Sequence, residues 1–252
     1  MCNQKKICVL CKQERIIRNS HIIPESFYKH INIYSNHKFY QITTDGKESD
    51  IRFKQKGVRE YMLCDDCEKL LNDSYEKYAE NLFFKNCQLE NYVDHIELLN
   101  TDSNKIKLFI LSVLYRASVS TLYFFKEVTL TPLQNEHLRE MILNNNSGTF
   151  LDFGTLILIA NEESSGIVKQ TIFPPKIIQV NGHSLVIFFI SKFIFIIFLS
   201  NLTDDFEMRN LLIGHSEKTI IMKADFIKLL ESDFNILINN QSLKERIDKV
   251  IK

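Results

Sequence analysis

Four of the six cysteines fall into two matched pairs, Cys8-Val-Leu-Cys11 and Cys64-Asp-Asp-Cys67. A two-residue spacer lets one tight turn offer both thiolates to a single ion, each sulfur about 2.3 Å from it, and two such pairs complete the tetrahedral shell of structural zinc. Cys8, Cys11, Cys64 and Cys67 are therefore the expected ligands of a structural Zn2+. Buried free thiols have no reason to come as two equal pairs, and Cys2 and Cys87 stand outside the pattern. Four thiolates leave no open position for water, so chemistry must come from other side chains. The nearest candidate is His21, in Arg18-Asn-Ser20-His21-Ile-Ile-Pro24, where an extended strand would turn it away from Ser20 and Ile22.

The elements around these residues follow from composition and period. The chain has 252 residues, 31 Lys+Arg against 31 Asp+Glu, and 45% hydrophobic residues, an ordinary globular composition that excludes disorder, collagen and nucleic-acid binding by bulk charge alone. The charge is uneven, however: residues 1–60 carry 12 basic side chains against 6 acidic ones. That segment is polar and broken, the texture of a small module organised by metal. Cys64 then opens a helix to about Phe84, with Cys67, Leu70, Leu71, Tyr75, Tyr78 and Leu82 at three- and four-residue steps and Glu68, Asn72 and Glu76 on another face. Glu68 and Glu76 would stand about 12 Å apart along its axis, too far to share one ion easily.

Asn100–Asn104 supplies a turn and helix cap before a central apolar helix over about Ile106–Lys126, and Thr131-Pro132 starts another through Leu143. Strands are expected at Thr155–Ala160, Ile172–Val180 with a bulge or edge at Pro174-Pro175, Leu185–Ile190 and Phe193–Leu199. Asn181-Gly182 and Ser191-Lys192 form the hairpin turns. Residues Ala224–Leu230 and Ser242–Ile251 read as closing helices. The most apolar run, Leu185–Leu199, is interrupted by Lys192 and falls short of the about 20 residues of a membrane span, so it reads as core β-structure. The start of the sequence has no secretory h-region, and the cysteine spacing fits a reducing, cytoplasmic setting.

The pattern Cys8-x2-Cys11, His21-Ile-Ile-Pro24, Leu63-Cys64-Asp-Asp-Cys67 resembles the zinc-stapled HNH endonuclease superfamily, in particular a divergent bacterial and phage-associated branch of it. The resemblance covers about residues 8–85. It implies a ββα-metal treble clef, with His21 as the general base that activates water for attack on a phosphodiester and Mg2+ or Mn2+ on the scissile phosphate. The position before the histidine, an Asp or His ligand in the family, is Ser20, and the His or Asn after the last cysteine is Glu68. The family's Asn upstream of the second cysteine pair is absent from Gly57–Leu63. Glu68 is then the expected ligand of the catalytic ion.

The expected architecture is α+β: a zinc treble clef at 1–90, then an α+β domain with antiparallel strands at 91–252. The expected function is metal-dependent cleavage of DNA or RNA, in a bacterial defence or mobile-element setting, by His21 and Glu68. Arg18, Arg52, Lys54, Lys56 and Arg59 are the candidate phosphate contacts. The alternative is a non-catalytic zinc module that binds nucleic acid or a protein partner; no membrane partner is expected.

Overall fold

A computed structural model describes residues 5–33, 39–42, 51–54, 57–85, 88–161, 171–225 and 228–229. Strands β1 (Lys5–Ile7) and β2 (Glu14–His21) form an antiparallel hairpin whose turn holds Cys8 and Cys11, and β5 (Arg59–Cys64) pairs with the other side of β2. A register shift between Arg18 and Asn19 breaks the alternation of β2, so Ile17 and Ser20 are both buried despite their three-residue spacing. The strand ends at His21. Ile22, Ile23 and Pro24 bend the buried chain into α1 (Glu25–Ile33), which sinks Phe27, Tyr28 and Ile31.

After β5 the chain is helical throughout 65–85: α2 (Asp65–Leu71), a π segment Asn72–Glu76, α3 (Lys77–Glu80) and a second π segment Asn81–Lys85. This matches the helix expected from the cysteine pair. The central helix α4 (Ser103–Ser118) is capped by Asp102, whose carboxylate accepts from the Lys105 amide at 3.0 Å, and every residue from Ile106 to Ala117 is buried. It stops at Ser118, well short of Lys126. Past that point Ser120 and Thr121 direct their hydroxyls to the Glu60 carboxylate, each at 2.6 Å, which draws the chain off the helix axis before a 3-10 turn at Tyr123–Phe125. Helix α5 (Pro132–Leu143) starts on a Thr131/Gln134 capping box.

Among the described residues the large sheet has nine strands. In addition to the short β3 (Phe39–Ile42), β4 (Ile51–Lys54), β6 (Leu89–Asn91) and β7 (His95–Leu98), it contains β8 (Thr155–Ala160), β9 (Thr171–Val180), β10 (His183–Ile190), β11 (Phe193–Phe198) and β12 (Thr219–Ala224). Their order is β4-β3-β9-β10-β11-β8-β12-β7-β6, antiparallel except for the β3/β9 and β12/β8 pairs. The protein is thus α+β with mainly antiparallel sheets, as expected.

The apolar run Leu185–Leu199 forms β10 and β11, both buried almost throughout because the sheet has a core on each face. Val186, Phe188, Phe195 and Ile197 meet the helices, while Ile187, Phe189, Ile194 and Ile196 face Leu202 and Leu212. Pro174 and Pro175 lie at a register shift opposite Phe188, the expected bulge. Among the described residues no helix is long and apolar enough to cross a membrane.

The expected boundary at residue 90 falls inside β6, and hairpin β3/β4 from the first 60 residues extends the large sheet through β9. One buried apolar core runs from Cys8 to Ile221. Of the closing helix expected at Ala224–Leu230, Ala224 is instead the last residue of strand β12, while the described Lys228 and Leu229 are helical, with the Leu229 amide on the Asp225 carbonyl at 3.0 Å and the Lys228 amide on the Asp225 carboxylate at 3.1 Å. Ser242–Ile251 lies outside the described residues.

Candidate functional site

The Sγ atoms of Cys8, Cys11, Cys64 and Cys67 all lie within 4.8 Å of one another, a cluster able to hold one metal ion. Cys8 and Cys11 come from the β1–β2 turn, where Lys12 takes a positive φ of 59° and its amide bonds the Cys8 carbonyl at 2.9 Å. Cys64 caps α2 and Cys67 sits in its first turn, where helix amides favour thiolate. The Cys64 amide points at Cys8 Sγ, 3.4 Å away. The Cys8 thiol is pulled down to about 4, chiefly by a hydrogen bond from Cys67 and against the effect of burial, and Cys67 is pushed up by that same bond. Burial also pushes the Cys64 thiol up, so of these three only Cys8 is drawn toward thiolate without an ion, and a bound cation would favour the deprotonated form of all four. The turn is also gripped from outside: Tyr115 donates to the Val9 carbonyl at 2.6 Å and Arg139 to the Leu10 carbonyl at 3.0 Å.

Beside this cluster, between the end of β2, α1 and the helical run, opens a cavity of about 550 Å3 lined among others by His21, Glu25, Glu68, Asn72, Glu76 and Arg116. His21 and Glu68 therefore do converge. His21 Nε2 and Glu68 Oε1 are both buried and have no hydrogen-bond partner in the protein. Unpartnered buried polar atoms are costly and rare, and two of them on residues lining one cavity make it the candidate ligand site. Burial, reinforced by the Arg59 charge, lowers His21 to about 4. Burial raises the Glu68 carboxyl, which the Ser20 hydroxyl partly offsets. Ser20 itself is 2% exposed and accepts the Leu63 amide at 3.2 Å, so it braces the two strands rather than facing a ligand.

Glu76 shares the cavity but is already matched, its Oε1 lying 2.8 Å from Arg116 Nη1. That arginine was not among the residues singled out from sequence. The signal was present, since a cation inside the apolar helix Ile106–Ala117 must find buried partners.

The proposed basic patch is divided. Arg18 on β2 forms a two-pronged pair with Asp65, and Arg59 on β5 lies 3.6 Å from Glu25. Arg52 and Lys54 belong to β4, the outer strand of the other sheet, and Lys56 lies outside the described residues. No protein-family model, no curated protein and no solved structure matches this chain.

Proposed function

We propose that the chain is a divergent HNH-type nuclease, a zinc-stapled treble clef whose cavity hydrolyses nucleic-acid phosphodiesters. The observation that carries this reading is the pair of unpartnered buried atoms, His21 Nε2 and Glu68 Oε1, in one cavity beside the four-thiol cluster. The β1–β2 turn followed by a cysteine pair opening a helix fits a treble clef. Four thiols and no carboxylate or imidazole in the cluster fit Zn2+ with a structural role.

Held low by its surroundings, His21 is neutral at physiological pH and its Nε2 is free to take the proton from an attacking water. The P–O bond to the leaving oxygen breaks as the new one forms, and the leaving oxygen is protonated from solvent. Glu68 offers one oxygen to a hard cation, and Mg2+ or Mn2+ bound there would stabilise charge on the phosphate. Glu76, neutralised by Arg116, is not a second ligand. Purified protein with Mg2+ or Mn2+ and single- and double-stranded DNA and RNA tests the reading. Cleavage that disappears in His21→Ala and Glu68→Ala supports it, and no cleavage with any metal or substrate sinks it.

A non-catalytic interaction module is the second reading. It is favoured by Ile7 and Tyr61, which are 58% and 59% exposed on the three-stranded sheet, and by the carboxylate partners already held by Arg18 and Arg59.

A further inference from the structure

The C-terminal part of the chain reaches into the cavity through one side chain. Arg116 of α4 is 1% exposed, and each of its three guanidinium nitrogens has a partner. Nε donates to the Ser112 carbonyl at 3.2 Å and Nη2 to the Ser112 hydroxyl at 3.4 Å, which fixes the fork to its own helix. Nη1 then meets two groups from the N-terminal part: the His21 carbonyl at 2.8 Å and Glu76 Oε1 at 2.8 Å. The first is the main chain of the residue at which β2 ends and the chain bends. The second is on the π segment that follows α2, about two helical turns beyond Glu68 on the side that lines the cavity.

A planar guanidinium anchored on two sides and bonded on a third is a rigid fixture, which a flexible ammonium is not. We infer that Arg116 is the positioning residue of the cavity: it sets the main chain of His21, and with it the imidazole, relative to Glu68, and it removes Glu76 from competition for a cation. The site is therefore assembled jointly by the two parts of the chain, and α4 is more than a scaffold. Neighbouring bonds follow the same logic, because Glu60, one residue from the pairing partner of His21, is held by Ser120 and Thr121 just beyond α4.

The catalytic arm of this inference rests on the nuclease reading, so the test has a readout that does not. In full-length protein with selectively labelled histidine, the ring signals of His21 are assigned by their loss in His21→Ala and compared in wild type, Arg116→Lys, Arg116→Met and Arg116→Met/Glu76→Gln. The double variant removes the carboxylate that Arg116→Met would leave buried and unpaired, so it is expected to lose less stability than the single variant.

Expected is a displaced or split His21 ring signal in the double variant and in Arg116→Lys, with zinc content and the signals of the other histidines retained. If cleavage is established, kcat falls by about 100-fold in the double variant with KM little changed, as expected for a displaced base, and Arg116→Lys recovers part of it. A folded double variant whose His21 signal and kcat equal those of wild type overturns the inference. A displaced signal in a protein without nuclease activity keeps the positioning role and removes only the nuclease reading.

Discussion

The phenol of Tyr115, on the central helix, donates a hydrogen bond to the carbonyl of Val9, 2.6 Å away, between the first two cysteines of the four-thiol cluster. The turn that presents Cys8 and Cys11 is thus held by protein as well as by any metal, with Arg139 gripping Leu10 beside it. Loss of the ion should therefore loosen this region without dissolving the fold. In Cys64→Ser, metal analysis should show zinc absent, and hydrogen exchange should rise in β1, β2 and α2 while β8–β11 keep their protection. Full zinc content in Cys64→Ser, or unaltered protection of β1 and β2 in protein stripped of metal, would reject a structural zinc at these four cysteines.

Cleavage should depend on His21 in a way that an ordinary histidine would not show. His21→Ala should lower the rate by a factor of about 100 or more. Because burial and the Arg59 charge lower His21 from 6.5 to about 4, it loses its proton at a lower pH than usual, and the acidic limb of the pH–rate profile should lie below 6.5, towards 4. Rates near neutrality should be flat where only this group titrates. Chelator too mild to strip a four-thiolate zinc should stop cleavage, and Glu68→Ala should act as chelation does. An acidic limb centred at 6.5 would refute the buried, unpartnered state of His21 on which the proposal stands.

What the sequence made legible was whatever local chemistry determines. Cys-x2-Cys spacing, the Thr131-Pro132 helix start and the turns at Asn181-Gly182 and Ser191-Lys192 each act within a few residues, and the observed φ values of +49°, +80° and +57° at Asn181, Gly182 and Ser191 are those such turns require. Helix α1 escaped because Phe27, Tyr28 and Ile31 span little more than one turn, too short for a period to emerge. Strand β12 escaped because its partners β7 and β8 are remote in sequence. The end of α4 is set by Glu60, some 60 residues away. Of the cavity, His21 and Glu68 were legible through a motif, whereas Arg116 acquires its role only when the fold brings Glu76 and the His21 carbonyl to it.

Gly57 is required by close approach. A Cβ there would lie 2.5 Å from Tyr28 Cε2 and 3.1 Å from His21 Cδ2. Tyr28 is buried, and its hydroxyl accepts the Val58 amide at 3.2 Å, so its ring cannot swing aside without losing that bond. Gly57→Ala should cost about 1–3 kcal/mol by urea denaturation. By displacing His21 it should also reduce kcat more than KM. A variant with wild-type stability and rate would show that the backbone at Gly57 is not pressed against Tyr28 and His21.

The last prediction concerns Lys107, which is 1% exposed inside α4 and whose Nζ donates to the Thr149 carbonyl at 2.6 Å. Burial lowers it from 10.5 to about 8, only partly opposed by the charge of Asp152. Below the folded value both folded and unfolded chains hold the proton, and the cost of burying the charge is present in full. Between about 8 and 10.5 the unfolded chain binds more protons, so this group makes unfolding harder as pH rises; above 10.5 both forms are neutral and the cost is gone. Lys107→Met keeps the length of the side chain and removes the charge. A 2.5-unit shift corresponds to about 3 kcal/mol, from which about 1 is lost with the bond to Thr149, so the variant should gain about 2 kcal/mol at neutral pH. Urea denaturation of both proteins across the alkaline range reads the difference directly, because groups common to the two cancel. The gap should close as pH rises from about 8 towards 10.5 and then reverse by about 1 kcal/mol in favour of wild type, the bond to Thr149 remaining once the charge is gone. A gap independent of pH, or a variant less stable than wild type at neutral pH, would mean that Lys107 is held as a well-compensated cation rather than as a buried charge the fold tolerates.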